Sequence, residues 1–480
     1  MSGAASARPV PPARPVPPQA PYEPGAALDE AFDENGRPSG AYADLLGALG
    51  GTDLEDLCRR VDAHLEAAGV SFGGGGRTFP VDPVPRLIAA GEWERLSGGL
   101  VQRTRALHAF LADAYGEQRM VSAGRIPARV IESARCFEPW MRGAPVPPPG
   151  FLAGLDLVRG SDGTLRVLED NTRTPSGLAY AVAARRALDA ELAAPVPAGR
   201  LDVTGAYPVL RRALFASAPD GVDDPHVVLL SDGPANSAWH EHEQMGAEMK
   251  VPVVTRDELT VRAGRVHARP EGGSDRAVDV LYRRTDEDRL RDEEGRPTWL
   301  ADLVLDPIRR GTLTVVNRPG AGLADDKLVH AYVEEMVRFY LGEEPLLPSV
   351  RTYDLGDPDQ LAEALERLGD LVVKPRDGYG GTGVVVCRFA TAEDRQAVTQ
   401  EVRDDPGSYI AQETVMLSTH PTVIEGRLEP RHVDLRPFVV GGGDSSTAVP
   451  GALTRVAFGA GELVVNSSRN GGGKDTWVMG

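Results

Sequence analysis

Cysteine is scarce in this sequence, and long apolar runs are missing from it. Its 480 residues include three cysteines, Cys58, Cys136 and Cys387, whose wide spacing fits neither a C-x-x-C motif nor a zinc site. A sparse, odd number of cysteines is typical of proteins in a reducing compartment. Neither an apolar run of about 18 residues nor a signal-like apolar segment occurs, so we expect a cytoplasmic protein without a membrane partner.

Positive charge is also in deficit. Lysine and arginine number 52 against 70 aspartate and glutamate residues, which gives a net charge of −18. Because nucleic acids attract proteins mainly through their phosphates, a chain this acidic is not expected to bind nucleic acid. Glycine is frequent, with 54 residues beside 39 prolines. This share stays below that of low-complexity chains, so the glycines are expected in the loops of a folded protein.

The order of elements along the chain predicts an α/β (α+β) fold with several units. Residues 1–40 are predicted to be a disordered proline-rich tail, for which a partner-docking segment is the functional alternative. Residues 41–150 are predicted to be a helical region, with a recurring apolar face from Leu96 to Leu111. Residues 151–205 begin with a β-hairpin, residues 206–320 form a small α/β domain, and residues 321–480 mix helices with strands.

Two carboxylates are predicted to face each other across the β-hairpin. The pair Asp162-Gly163 between two apolar-rich runs is a strong turn signal. With these residues at the turn, Asp156 lies opposite Glu169, and strand alternation places Asn171 on the same face as Glu169. The same register predicts three further pairs, which are Leu157 with Leu168, Val158 with Val167 and Arg159 with Arg166.

This cluster of oxygen-bearing side chains is a candidate metal site. Two carboxylates directly opposite each other repel and destabilise the pairing, and a hard divalent cation removes that cost. Mg²⁺ takes oxygen ligands and commonly uses one or two carboxylates together with substrate phosphates. The alternative interpretation is a pair of exposed acids at a sheet edge.

A glycine-rich loop lies between two predicted strands, at residues 371–375 and 384–387. Gly378, Gly380 and Gly383 match G-x-G-x-x-G, but a strand rather than a helix follows, which excludes a dinucleotide fold. The Walker motif and the kinase motifs H-R-D and D-F-G are missing, and Lys374 precedes the loop. Such a hairpin can lie over nucleotide phosphates with its N–H groups inward, whereas the alternative is a mobile surface hairpin.

Basic residues in the C-terminal third could bind the same anion. One of them, Arg436, is expected just before a strand at residues 437–440. Each arginine alone is typical of a surface ion pair, and their proximity in sequence to the glycine loop favours an anion site. The segment His240-Glu241-His242 is not expected to bind zinc, because residues two apart on a helix diverge. The basic candidates are Lys327, Arg436, Arg455 and Lys474.

Together these residues resemble the ATP-grasp ligases. The C-terminal run is similar to that of ribosomal-protein glutamate ligases, with Asp434 and Arg436, then Arg455, then residues 466–472. In those ligases the metal motif comes last, whereas its likeness here comes far earlier. This order implies a circular permutation, which glutathionylspermidine synthetases show in a similar form.

Beyond about residue 70 the whole chain resembles the circularly permuted ATP-grasp type 2 family. The resemblance implies an ATP-grasp fold whose metal-binding segment is residues 151–205 and whose nucleotide-binding subdomains are residues 321–480, with 206–320 as a pre-ATP-grasp-like domain. The matching stretches are residues 79–86, 168–177, 282–284, 324–327, 420–422 and 474–477.

The resemblance also implies roles for individual residues, with ATP and Mg²⁺ as cofactors. ATP would be bound by Lys327, Lys374, Gly378, Tyr379, Gly380, Gly381 and Gly383, and its adenine by Gln412 and Glu413. Mg²⁺ would be held by Asp156, Glu169 and Asn171. Arg436, Arg455 and Lys474 are the expected catalytic cations. The substrates would be contacted by Arg173, Ser176 and Asn466, and also by Lys474.

The function implied by this likeness is that of an ATP-dependent carboxylate–amine ligase. Such an enzyme forms an acyl phosphate, and an amine then displaces the phosphate. The expected partners are small-molecule substrates, such as an amino acid, a peptide or a polyamine, and a homodimer is possible. Two alternatives stay open: a phosphotransferase without ligation, and a non-catalytic nucleotide-binding scaffold.

Overall fold

A computed structural model describes residues 21–480 apart from residues 74–75, 145–150, 270–272, 379–380 and 466–470. The described chain is mixed α/β, which confirms the predicted fold class. Its helices are α1 (Ala43–Leu49), α2 (Leu54–Ala67), α3 (Ala90–Ala114), α4 (Arg119–Ser122), α5 (Ala128–Glu132), α6 (Leu178–Glu191), α7 (Ala206–Phe215), α8 (Trp239–Met249), α9 (Trp299–Arg309), α10 (Lys327–His330), α11 (Val333–Met336), α12 (Pro358–Glu366) and α13 (Ala392–Asp404). Its strands are β1 (Val81–Ile88), β2 (Leu152–Arg159), β3 (Leu165–Asn171), β4 (Val227–Leu230), β5 (Val253–Val254), β6 (Leu259–Arg262), β7 (Arg265–Ala268), β8 (Arg276–Ala277), β9 (Val280–Arg283), β10 (Thr314–Val316), β11 (Thr352–Asp354), β12 (Leu371–Pro375), β13 (Val385–Val386), β14 (Tyr409–Glu413), β15 (Thr419–Ile424), β16 (Arg427–Val440), β17 (Thr447–Ala457) and β18 (Gly471–Val478).

Seven strands form the largest sheet, in the order β1-β18-β17-β16-β2-β3, with β15 also paired to β16. β1 and β18 are parallel, and the other neighbours are antiparallel. Successive side chains of a strand point to opposite faces of the sheet, and apolar side chains lie on both faces of this one. Ala153 and Val439 belong to the core that contains α3, whereas Leu152 and Phe438 belong to the core that contains α6. The sheet is therefore covered by helices on both faces.

Strand β1 interrupts the region that was predicted to be helical, residues 41–150. Pro83 and Pro85 lie within β1, at the point where its register with β18 shifts between Asp82 and Arg86. Proline cannot donate a ladder hydrogen bond, so its presence favours an edge strand, and β1 ends the strand order of its sheet. The prediction for this region is corrected to helices plus one edge strand.

A second sheet has four strands in the order β10-β9-β4-β5. β4, α8 and β5 form the strand–loop–helix–strand unit predicted from the sequence, with Leu229 paired to Val253 in parallel. A three-stranded sheet, β6-β7-β8, adjoins this α/β unit in the chain. Within the described residues, no helix combines the length and the apolarity needed to cross a membrane.

A third sheet carries the glycine-rich loop, and we call it the glycine-loop sheet. It consists of β11, β14, β12 and β13 in that order, all antiparallel. β12 and β13 flank the loop, and Val373 pairs with Val385. The predicted strand–loop–strand arrangement is therefore confirmed.

The β2–β3 hairpin confirms one predicted pair and corrects the others. Asp156 lies opposite Glu169, but Leu157 pairs with Val167, so that Leu168 forms a bulge. Val158 consequently faces Arg166 instead of Val167, and Arg159 faces Leu165 instead of Arg166. The turn is wider than two residues, since the N–H of Gly160 donates to the carbonyl of Thr164. The predicted pairing of Arg159 with Arg166 is therefore wrong.

The segment at residues 21–40 is packed against the large sheet, which corrects the predicted disorder for this part of the chain. Glu30 is buried, with its carboxylate 2.6 Å from Arg86 Nη2 and 3.1 Å from Arg159 Nε. Asp29 bridges to Thr419 at the start of β15. Residues 1–20 lie outside the described residues, so a proline-rich tail there stays a prediction.

Glu30 is expected to make the fold sensitive to acid. Burial alone would raise the pKa of Glu30, but Arg86 and then Arg159 outweigh burial and lower this pKa from 4.5 to about 2. A group whose pKa is lower in the folded state stabilises the fold fully above its unfolded pKa. The contribution of Glu30 is therefore lost as the pH falls from 4.5 through about 2.

The measurement is urea unfolding of wild type and of Glu30→Gln over the pH range from about 6 to about 3. The free energy of unfolding of wild type should fall more steeply with decreasing pH than that of the variant. Parallel pH profiles would contradict the role of the buried carboxylate.

Candidate active site

A cavity of about 760 Å³ lies between the large sheet, the glycine-loop sheet and the small α/β domain. β2, β3, β16 and β17 line one side of it, and β12 and β14 line another. The loops that follow β4 and β9 line its far end. The cavity brings together most of the residues predicted for the site: Asp156, Glu169, Asn171, Arg173, Ser176, Lys327, Lys374, Gly378, Gly381, Gln412, Glu413, Arg436 and Arg455.

The candidate metal ligands lie on one face of the β2–β3 hairpin. Asp156 and Glu169 are cross-strand partners, and Asn171 is two residues further along the strand. Asn171 Nδ2 is buried and has no hydrogen-bond partner among the described residues. The described part of the chain contains no group of three His, Cys, Asp or Glu side chains placed to hold a metal ion. The oxygens of two carboxylates and of the Asn171 amide are nevertheless of the kind that Mg²⁺ accepts as ligands.

Both carboxylates are held in the ionised form by cationic side chains. Burial would raise the pKa of Asp156, but Arg436 and Arg455 lower it to about 2. Burial opposes ionisation of Glu169 as well, and Lys374 and Lys327 lower its pKa. At neutral pH both carboxylates are therefore negatively charged, and each is paired with a cationic side chain.

Arg436 and Arg455 lie within long strands of the large sheet. Arg436 is inside β16 rather than before a strand, which corrects that expectation, because β16 begins at Arg427. Its Nε and Nη2 donate to the two oxygens of Asp156 at 2.6 and 2.7 Å. Arg455 Nη2 is 3.0 Å from Asp156 and also contacts Asp434, its cross-strand neighbour. The guanidinium groups thus occupy the oxygens that a metal ion would use.

Removal of Arg436 is expected to strengthen cation binding in the absence of nucleotide. A cation that uses Asp156 must displace the guanidinium of Arg436. A unit charge about 4 Å away contributes about 4 kcal/mol near a protein surface, so at least about tenfold tighter binding is expected for Arg436→Gln. Titration with Mn²⁺ followed by electron paramagnetic resonance measures this affinity.

The matched control is Arg166→Gln, which removes a guanidinium that pairs with Asp162 at the turn of the same hairpin. It should bind Mn²⁺ as wild type does. Unchanged or weaker Mn²⁺ binding by Arg436→Gln would argue against Asp156 as a cation ligand.

Two lysines and the glycine-rich loop lie next to the hairpin carboxylates in the cavity. Lys374 Nζ lies 3.1 Å from Glu169, and Lys327 Nζ donates to the carbonyl of Gly378. Gly383 does not line the cavity, but a Cβ there would lie 2.6 Å from Pro375, and its φ of +72° favours glycine. Tyr379 and Gly380 lie outside the described residues. Two clustered cations beside a glycine-rich loop suit a polyanionic ligand.

One end of the cavity is apolar and is bordered by the end of β14. Gln412 is buried, and its Nε2 donates to the carbonyl of Leu168 at 3.1 Å and to Thr352 Oγ1 at 2.9 Å. Its Oε1 is buried without a partner among the described residues. Glu413 is bonded to Arg367 at 2.9 and 3.0 Å. The sequence interpretation missed the apolar wall of this end, formed by Val158, Leu168, Val372, Val386 and Leu417.

The other end of the cavity is formed by the start of α6 and the loops of the small α/β domain. Arg173 is bonded to Asp288 at 3.0 Å and to Asp325 at 3.1 Å. The carbonyl of Ser176 accepts from Arg436 Nη1 at 3.3 Å. The sequence interpretation missed an aromatic wall at this end, because its three rings come from separate segments. These rings are Phe72, Phe79 and Tyr180.

The segment His240-Glu241-His242 links this end to the small domain. The carboxylate of Glu241 accepts from the backbone N–H groups of Gly177 and Ala179, at 2.9 and 3.0 Å, where α6 begins. Arg284 Nη2 donates to Glu241 at 2.9 Å, and its Nη1 donates to the carbonyl of Pro175. Glu241 thus caps α6 from another unit of the fold and fixes the loop beside Ser176.

The structure does not bring Lys474 to the cavity. Lys474 is fully buried in β18, ion-paired with Asp82, and donates to the carbonyl of Pro421 at 3.0 Å. Lys474 is not among the residues that line the cavity. Asn466 lies outside the described residues.

The fold is that of the ATP-grasp class. The family model "Circularly permuted ATP-grasp type 2" matches residues 85–457, and the chain belongs to this family. A structure described as a glutathione synthetase-like effector from Globodera pallida shares the fold, with a TM-score of 0.56 and 12% identity. That comparison covers 89% of this chain and 98% of the effector chain.

Curated relatives align over most of the chain. A Frankia alni protein named "Putative glutamate--cysteine ligase 2-3" is 44% identical over 94% of this chain, which spans about half (54%) of the relative's length. An uncharacterized Mycobacterium tuberculosis protein is 42% identical over 94% of this chain and 84% of its own. An uncharacterized Synechocystis protein is 39% identical over 95% of this chain and 97% of its own. The resemblance drawn from the sequence is therefore confirmed at the level of the family.

Proposed function

We propose that the protein is an ATP-dependent carboxylate–amine ligase that forms an amide bond through an acyl phosphate. Membership of an ATP-grasp family supports an ATP-dependent ligase in general. The observation that carries the proposal is the ionised pair Asp156 and Glu169, held by two arginines and a lysine in one cavity. Such a cluster suits a reaction in which charge moves between phosphoryl oxygens.

ATP would lie along the cavity with its base at the apolar end beside Gln412. This places the triphosphate between Lys327, Lys374 and the hairpin carboxylates. Mg²⁺, held by Asp156, Glu169 and Asn171 when bound, would supply positive charge to the β- and γ-phosphates. The lysines orient the phosphate chain, and the loop at Gly378 shields it from water.

Arg436 and Arg455 would then bind the reacting anions, since a guanidinium fork matches phosphate and carboxylate geometry. The substrate carboxylate attacks the γ-phosphorus, the bond to the β-phosphate oxygen breaks, and ADP leaves. The amine attacks the acyl carbon of the acyl phosphate, and the bond between this carbon and the phosphate oxygen breaks. Phosphate leaves, and the amine nitrogen loses a proton to water. The chain's residues position the reactants without a covalent nucleophile.

The substrates proposed are a small carboxylate and an amine, such as an amino acid, a peptide or a polyamine. They would occupy the end of the cavity beside Arg173, Ser176 and the aromatic wall. The name of the Frankia alni relative agrees with amide-bond chemistry. This chain spans about half of that protein, so the name does not specify the substrates of this chain.

The test combines protein, ATP, Mg²⁺, hydroxylamine and pooled small carboxylates, and follows ADP and hydroxamate. The expected result is a hydroxamate formed in step with ADP, after which pooled amines replace hydroxylamine to give new amides. Formation of AMP and pyrophosphate would contradict the proposal. A stable phosphorylated product without an amide would identify a phosphotransferase, and unchanged cellular function of Glu169→Ala would identify a scaffold.

A further inference from the structure

Asp170 stands between two candidate metal ligands, Glu169 and Asn171, but it serves a different contact. Since strand side chains alternate, its carboxylate lies on the opposite face of β3 from theirs. Asp170 is buried, with an exposed fraction of 3%. Its partners come from two separate helices, α3 and α10.

The contacts of Asp170 form a buried network, in which His330 Nε2 has no hydrogen-bond partner among the described residues. Arg103 of α3 donates to both carboxylate oxygens, from Nε at 2.6 Å and from Nη2 at 2.7 Å. His330 Nδ1 lies 2.7 Å from Asp170 Oδ2 and 3.1 Å from Arg103 Nη2, and a proton on this nitrogen is donated to the carboxylate. Arg103 Nη1 also donates to Ser349 Oγ at 2.8 Å, just before β11. The negative charge of Asp170 is thus paired with the positive charge of Arg103 away from solvent.

Helix α10 connects this network to the cations of the cavity. His330 is its last residue, and Lys327 is its first. Asp326 caps the same helix and accepts from Arg376 Nε at 2.7 and 2.8 Å. Arg376 follows β12 directly, the strand that carries Lys374. Both ends of a helix of one turn are therefore fixed, one to β3 and one to the base of the glycine-rich loop.

We propose that His330 and Arg103 are positioning residues that act through Asp170 to fix Lys327 relative to Glu169. The network joins the strand of Glu169 to the helix of Lys327. Asp170 is one residue from Glu169, and His330 is three residues from Lys327. This inference rests on the proposed function, in that the cavity binds a nucleoside triphosphate with its metal ion. Outer groups of this kind orient the residues that touch the ligand and typically affect affinity by about 10- to 100-fold.

The test compares His330→Leu with His330→Asn, using Mg²⁺ and the non-hydrolysable ATP analogue AMP-PNP as the probe. Leucine removes the donor to Asp170, whereas the asparagine side-chain amide restores an N–H near the position of Nδ1. We expect His330→Leu to bind Mg·AMP-PNP about 10- to 100-fold more weakly by calorimetry, and His330→Asn to bind within about threefold of wild type. Adenosine binding, which lacks phosphates, should change less than about threefold in both variants.

His226→Leu is the matched control, since it removes a half-buried histidine that contacts the carbonyl of Ala277 in the small domain. Thermal unfolding confirms that each variant is folded, and Arg103→Lys replaces His330→Leu if the latter does not fold. The inference is overturned if His330→Leu binds Mg·AMP-PNP as wild type does, if it loses adenosine equally, or if His330→Asn is no better. Failure of wild type itself to bind Mg·AMP-PNP would instead overturn the proposed function.

Discussion

Glu169→Gln is expected to lower ATP-dependent hydroxamate formation by about 10³-fold. The glutamine keeps the size of the side chain but removes the negative charge that opposes Lys374 and Lys327. A cation would then have Asp156 as its remaining carboxylate ligand, and Asp156 is already bound by two arginines. The loss should therefore appear as weak Mn²⁺ binding as well as low turnover, and both can be measured on the same preparation.

The control for this variant is Asp162→Asn, which neutralises an exposed carboxylate at the turn of the same hairpin. Its turnover should stay within about twofold of wild type, because screened surface charges contribute little. Retention of more than about one tenth of the activity by Glu169→Gln would show that Glu169 does not hold the metal ion.

Lys474→Met is expected to reduce the free energy of unfolding by about 3–5 kcal/mol, because it leaves Asp82 as an unpaired buried charge. Lys474 has an exposed fraction of 0%, and burial lowers its pKa although Asp82 opposes that shift. Urea unfolding measures the loss. Turnover per folded molecule should stay near that of wild type, because Lys474 does not line the cavity.

The double variant Asp82→Asn with Lys474→Met separates charge from packing. Asp82 accepts hydrogen bonds from the backbone N–H groups of Val84 at 3.0 Å and Val423 at 2.7 Å. The side-chain oxygen of asparagine can still accept one of these two bonds. Removing both charges should restore at least about 1 kcal/mol relative to Lys474→Met alone. If Lys474→Met is instead folded and stable but has no turnover, the result would support the catalytic role that was predicted for Lys474 from the sequence.

Local patterns predicted much of the fold and part of the site. The Asp162-Gly163 signal was sufficient to predict the hairpin, but Asp156 lies opposite Glu169 because the bulge at Leu168 compensates for a turn wider than predicted. The same reasoning could not predict the bulge at Leu168. The hydrogen bond from Gly160 to Thr164 widens the turn, and the offset is absorbed between Asp156 and Leu157.

Contacts between distant segments were beyond prediction from the sequence. Lys474 and Arg455 are both cations in the C-terminal third, yet one pairs with Asp82 in the core and the other reaches Asp156 in the cavity. Nothing in the neighbouring residues distinguishes them, since the partners are hundreds of positions away. Glu30 is a similar case, because the proline-rich context concealed a carboxylate that pairs with Arg86.

The position of β18 inside the large sheet has a consequence for folding. β18 lies between β1 and β17, and its lysine meets an aspartate 392 residues earlier in the chain. Until this strand docks, β1 has no partner in the sheet order and the edge of β17 stays open to other chains. Closure of so long a loop is slow and favours aggregation in the interval. A fusion or deletion that disturbs β18 would thus separate β1 from β17 inside the sheet instead of removing an edge strand. Such a variant is expected to depend on chaperones for folding.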